Sequence, residues 1–109
     1  MTSKRTAASK RTSLLRATDY TKSFLKDWKQ LSRSGRYDMN RLKEVMTLLI
    51  ANEGPLRPEW LDHPLTGQWD GYRECHIGGD FLLIYKLGDT GKHGLVVFVR
   101  SGTHAELFE

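Results

Sequence analysis

The chain has 109 residues, 39% hydrophobic and 28% charged, with a formal net charge of +4. That length suits one domain with one modest core and leaves no room for two. A single cysteine, Cys75, excludes an internal disulfide, and no apolar run reaches the roughly 18 residues of a membrane span. The N-terminal segment is basic but lacks the apolar stretch of a secretory signal, so the expected compartment is the cytoplasm.

Residues 1–12, MTSKRTAASKRT, carry Lys4, Arg5, Lys10 and Arg11 with no acid, and so hold the whole charge excess. They have no periodicity and read as a flexible basic tail; a nucleic-acid-binding arm is the sharper alternative. The domain is expected over residues 13–109. Within it, residues 13–44 have 8 basic side chains against 4 acidic, and residues 45–109 have 5 against 9. One half can face a polyanion and the other something cationic.

SLLRAT predicts a short first strand. Asp19 is placed to cap a helix running to about Ser32. Phe24, Trp28 and Leu31 recur at i, i+4, i+7 and form its apolar face. Lys22, Lys26, Lys29 and Arg33 lie nearly opposite, uninterrupted by acid; the stripe is a solvated face or a phosphate-contacting one. Gly35 breaks this helix. Asp38 can cap a second, from Met39 to about Asn52, in which Leu42, Val45, Met46, Leu49 and Ile50 mark a second apolar face. Asn52, Gly54 and Pro55 end it. Residues 53–70 form a long connection whose Trp60, Leu61, Leu65 and Trp69 are too apolar for a loose loop.

The last third reads as strands, YRECHI, FLLIYKL and LVVFVR, separated by Gly78-Gly79 and GDTGKHG. The order β-α-α-β-β-β predicts an α+β domain, with a helical hairpin packed on a small, largely antiparallel sheet.

Four histidines are available for chemistry. His93, in TGKHG, reads as an exposed turn residue. His63 lies in the apolar loop, His76 at a strand end with Asp80 four residues on, and His104 after the last strand with Arg100 four residues earlier. Each has a structural reading: a turn, a cross-strand filler, an acceptor for a backbone N–H, a surface pair. Three chemistries compete for the set. Zinc could be held by His63, His76, His104 and Asp80, but no HExxH or CxxC spacing accompanies them. A nucleophilic hydrolase lacks a suitable Ser or Cys, because Cys75 alternates away from His76. Metal-independent RNA cleavage fits better. RNA brings its own 2′-OH nucleophile, and imidazoles near neutrality serve as base and acid while an arginine meets the phosphate.

The segments DMNRLKEVMTLLI, DHPLTGQWDGYRECHIGGDFLLIYKL and RSGTHAELF resemble the YafQ-type toxins of the RelE superfamily, over residues 13–109. The resemblance implies a RelE-like fold and a type II toxin. It also implies a ribosome-dependent mRNA endoribonuclease with no cofactor, acting on the 70S ribosome with mRNA and held by a DinJ-like antitoxin in a toxin–antitoxin hetero-oligomer. It places the catalytic set on His63, His76, Asp80 and His104. RNA contacts fall on Arg100, on Phe81 (where a Trp can occur) and on Phe108. His104 is then the expected general acid and His63 or Asp80 the base, with His76 orienting groups and the basic stripe of the first helix meeting ribosomal RNA. A noncatalytic ribosome-binding inhibitor of translation, or a decayed toxin that titrates an antitoxin, remains the alternative.

One geometric demand follows. With a two-residue Gly78-Gly79 turn, His76 would pair with Phe81 and sit on the opposite face from Asp80. A shared site requires a wider or bulged turn that includes Asp80.

Overall fold

A computed structural model describes residues 14–108. The basic tail expected over 1–12 lies outside the described residues. Strand β1 (Ala17–Tyr20) leads into helices α1 (Lys22–Ser34) and α2 (Met39–Ala51). A connection with two 3-10 turns, Pro58–Trp60 and Gly67–Trp69, carries the two-residue strand β2 (His63–Pro64). Strands β3 (Arg73–Gly78), β4 (Phe81–Gly88) and β5 (Leu95–Gly102) follow, then the short helix α3 (His104–Phe108). The sheet order is β1-β5-β4-β3-β2. β1 runs parallel to β5, and the other pairings are antiparallel. The expected β-α-α-β-β-β order therefore holds, with β2 and α3 added.

Local chemistry sets the helix ends. Thr21, not Asp19, caps α1: its Oγ1 accepts from Phe24 N–H at 2.9 Å and donates to Val99 O at 2.6 Å. Pairing with β5 carries the strand through Tyr20, so Asp19 is still extended and accepts from the neighbouring Tyr20 N–H instead. Gly35 ends α1 at φ 69°, a left-handed conformation that a Cβ disfavours. Asp38 caps α2 by accepting from Arg41 N–H at 3.0 Å, and Asn52 closes it at φ 55°.

Both faces of the sheet are covered. Phe24, Leu31, Leu42, Val45, Met46 and Leu49 of the helical hairpin pack on Cys75, Ile77, Leu83, Tyr85, Val96 and Phe98. On the opposite face Leu82 and Ile84 meet Leu107 of α3, flanked by Leu65, Trp69 and Tyr72. This explains the unbroken apolar run FLLIY, because both sets of alternating side chains on β4 are buried. The connection is anchored through Trp60, which is 1% exposed, and through Asp62, which accepts from Arg73 Nη2 at 2.8 Å and from the Tyr85 hydroxyl. Leu61 is exposed and takes no part in this anchoring. His93 is half-buried, rather than exposed, with no partner at Nε2 among the described residues.

Candidate active site

β3 decides which side chains meet. Cys75 and Ile77 point into the helical core, so Glu74 and His76, at alternate positions, share the opposite face. β2 pairs His63 directly with Glu74. The β3–β4 turn meets the geometric demand in its own way. His76 pairs with Leu82 and Gly78 with Phe81, with a register shift at Ile77. The turn is thus Gly79-Asp80, two residues long but displaced by one position, and the bulge absorbs the extra residue. Gly79 takes φ 53°, which the tight turn requires. Arg41 steadies the bulge: its Nε donates to Ile77 O at 2.6 Å while its guanidinium lies 4.2 Å from the Trp60 ring centroid.

α3 delivers His104. Thr103 N–H donates to Glu106 Oε1 at 2.8 Å and Glu106 N–H to Thr103 Oγ1 at 3.3 Å. This reciprocal capping box is readable in THAE and sets His104 at the helix start. His104 then donates to Asp80 Oδ1 twice, from Nδ1 at 2.6 Å and from its backbone N–H at 3.2 Å. The Nδ1 contact, the larger of the two effects, holds the exposed Asp80 carboxyl below its ordinary range.

Glu74 is the hub of the cluster, with only 3% of its surface exposed. Its Oε2 lies 3.1 Å from His63 Nε2 and 3.7 Å from His76 Nε2, and its Oε1 lies 4.0 Å from His104 Nε2. Glu74 Oε1 is buried without a hydrogen-bond partner among the described residues. His63 Nδ1 contacts Leu61 O at 2.8 Å. A carbonyl only accepts, so Nδ1 carries a proton there, and the Nε2–Glu74 contact needs a further proton on one of its two partners. The rings form a row. His63 and His76 have centroids 5.9 Å apart, His76 and His104 6.2 Å, and His104 and Phe108 5.7 Å. Trp69 buttresses Phe108 edge-on at 5.7 Å.

His63, His76, Asp80, His104 and Phe108 are therefore brought together. Arg100 makes no hydrogen bond to this cluster. It donates to Asp27 from Nε at 2.7 Å and from Nη2 at 3.0 Å, and lines a neighbouring cleft with Glu106 and Tyr37. Lys22, Lys26, Lys29 and Arg33 are exposed on α1 and form no ion pair among the described residues. Phe81 is 5% exposed and packs beneath Tyr37, so its ring is not presented as an open stacking surface.

Two residues were missed at the sequence level. Glu74 lies two positions before His76 on a strand, a signal that alternation offers. Asp27 lies three positions after Phe24 and four before Leu31, on the apolar side of α1, where a buried carboxylate demands a partner. Cys75 is no nucleophile: burial, first, and the nearby carboxylates push its thiol well up. The ligand atoms of His63, Glu74 and His76 all lie within 4.8 Å of one another, a donor set suited to a transition-metal cation. This trio differs from the zinc set weighed against the sequence by having Glu74 in place of Asp80 and His104.

An imidazole cluster around a buried carboxylate, on a small mixed sheet, is a set of groups of the acid–base class, able to accept and donate protons near neutrality. Comparison with known proteins gives that class a family. Residues 16–109 match the family described as bacterial toxin of type II toxin–antitoxin system, YafQ. The Escherichia coli (strain K12) protein named mRNA interferase toxin YafQ is 49% identical over 90 residues, covering 83% of this chain and 92% of that one. The toxin in the E. coli DinJ–YafQ complex superposes with a TM-score of 0.75 at 48% identity, covering 86% of this chain and 99% of that chain. A structure described as a metal-bound toxin from Helicobacter pylori gives 0.74 at 38%, covering 86% and 100%. The chain belongs to the YafQ family of type II toxins, whose curated E. coli members are named as mRNA interferases, that is, endoribonucleases.

Proposed function

We propose that this chain is a ribosome-dependent mRNA endoribonuclease that inhibits translation by metal-independent acid–base cleavage. The observation that carries the reading is the convergence of three imidazoles on Glu74, with Asp80 bound to His104. A base takes the proton of the RNA 2′-OH, and O2′ attacks the adjacent phosphorus. The P–O5′ bond breaks, and an acid protonates the departing O5′. The products are a 2′,3′-cyclic phosphate and a 5′-hydroxyl. Asp80 fixes Nδ1–H of His104 and leaves Nε2 to donate the leaving-group proton. His63, about half exposed, is the better-placed base: in its neutral form Nδ1–H stays on Leu61 O, and Nε2, turned from Glu74, takes the proton of the 2′-OH before Glu74 pairs with the imidazolium that results. Asp80 thus orients the acid rather than acting as base. His76 shares the Glu74 charge, Arg100 takes the phosphate, and Phe108 offers a ring beside His104.

The exposed stripe Lys22, Lys26, Lys29 and Arg33 suits ribosomal RNA, where phosphate contacts position a protein without reading sequence. A DinJ-like antitoxin is the matching inhibitor, since the E. coli relative was solved in such a complex. Mapping RNA 5′ ends after induction, and in purified translation reactions that keep their Mg2+ but contain a chelator selective for transition metals, tests the whole reading. New ends with the parental chain, and none with His104→Ala, are expected. Inhibition of translation without new ends would establish blocking by occupancy instead. Loss of cleavage with that chelator, while translation in the toxin-free control continues, would overturn the metal-free mechanism.

The trio His63, Glu74 and His76 favours one accessory reading. A transition-metal cation held there would occupy the imidazoles that move protons, and so would inhibit rather than assist.

A further inference from the structure

The connection between α1 and α2 passes close to the β3–β4 turn and leaves a cleft of about 320 Å³ between them. Its walls include Arg36, Tyr37, Gly78, Asp80 and Phe81. Arg36 and Tyr37 also wall a second cleft of about 320 Å³, which reaches Arg100. One residue pair thus stands between the group proposed to hold phosphate and the carboxylate that orients the proposed acid. Tyr37 is rigidly mounted. Its ring is partly buried against the core and meets the buried Phe81 at 4.9 Å between centroids, tilted by 53°. The Arg36 guanidinium lies 5.8 Å from the Tyr37 centroid and is exposed, free to lie over a flat ligand on that ring.

We propose that this cleft is a nucleobase subsite, in which a base of the bound mRNA stacks on Tyr37 and is closed over by Arg36. The inference rests on the nuclease reading and adds to it where selectivity between codons arises. A fixed aromatic ring with a neighbouring guanidinium is the usual platform for an unstacked base, because every base has a π-face. A base held there lies next to the turn that carries Asp80, so it belongs to a nucleotide at or beside the scissile bond. Phe81 acts from below: it fixes the platform and does not touch RNA.

Two readouts test this. On ribosomes programmed with 2′-O-methylated mRNA, which cannot be cleaved, 2-aminopurine is placed at each position of the A-site codon. The parental chain should quench its fluorescence at one position. Tyr37→Phe should retain the effect, and Tyr37→Leu, which keeps an apolar contact to Phe81, should lose it. On cleavable mRNA, Tyr37→Leu and Arg36→Ala should lower kcat/KM roughly 10-fold and redistribute cleavage among codons. Unchanged thermal midpoints would show that the fold survives. Quenching that is absent in the parental chain, or retained in Tyr37→Leu, overturns the subsite whether or not RNA is cut. So does a loss of rate with an unchanged pattern of sites. A parental chain that quenches but never cleaves defeats the nuclease reading and leaves the subsite standing.

Discussion

Asp27 grips the guanidinium of Arg100, with Oδ2 at 2.7 Å from Nε and Oδ1 at 3.0 Å from Nη2, and accepts Ser101 N–H at 3.1 Å. The hydrogen bond to Asp27 is the main cause of a guanidinium pKa raised even above its ordinary value. Two donors are consumed, and the rest of the fork is aimed by a residue from another element. The guanidinium of Arg100 is therefore held in one orientation by the fold itself.

Replacing Asp27 with Asn should cost about 1–3 kcal/mol of stability, because a carboxylate at the helix–sheet junction loses its charge beside a half-buried cation. Cleavage should fall by more than the folded fraction does. Urea unfolding and kinetics on one preparation check this, and a parental midpoint would refute it.

Glu74→Gln keeps the shape of the hub and removes the charge shared by three imidazoles. Cleavage should drop by about 10- to 100-fold, within the usual range for disturbed proton transfer. Parental rates across pH would show Glu74 to be a bystander.

The Asp80 carboxyl should titrate below its ordinary value of 3.8, because the hydrogen bonds from His104 favour the ionised form. A depressed pKa means that the Asp80–His104 contact contributes to stability above the ordinary carboxylate range. That contribution is lost as pH falls through the lowered value. Carboxyl-carbon NMR titration measures it directly. His104→Ala should raise the Asp80 pKa toward the ordinary range, with the backbone N–H at position 104 still lowering it, and a midpoint indifferent to His104 would contradict the side-chain contact.

Micromolar copper or zinc should inhibit cleavage by binding His63, Glu74 and His76, while a matching micromolar amount of EDTA, with Mg2+ in large excess, should restore the metal-free rate. Inhibition that survives in a Glu74→Gln, His76→Ala double variant, read as metal binding by calorimetry, would place the cation elsewhere.

Cys75, wholly buried with its thiol pushed up, should resist alkylation in the folded protein and react on unfolding in urea. Rapid modification under native conditions would count against the packing of β3.

Both helices, their apolar faces and the strands of the meander were legible because each writes its period into the sequence. The Asp38 cap and the Asn52 stop were local signals as well. Asp19 misled because pairing with β5, 75 residues or more away, decides where the strand ends. The histidines stood out by residue type and strand-end position, yet their convergence depends on β2, which at two residues is too short to show a pattern. Glu74 was hidden in a strand where a charged residue normally faces solvent. The family resemblance identified Phe81 as an RNA contact, but burial puts Tyr37 above it.

The parallel pairing of β1 with β5 has a kinetic consequence. Thr21 reaches Val99 across 78 residues, whereas β3, β4 and β5 join through short turns. Closing the long loop costs more entropy than forming the meander, so the meander should assemble first and β1 dock late. Thr21→Ala should then hasten unfolding and barely slow refolding, whereas equal effects on both limbs of the chevron would place β1 in the nucleus. Asp27, which holds Arg100, lies in α1 directly after β1, so the grip on that guanidinium would close only at the final step of folding.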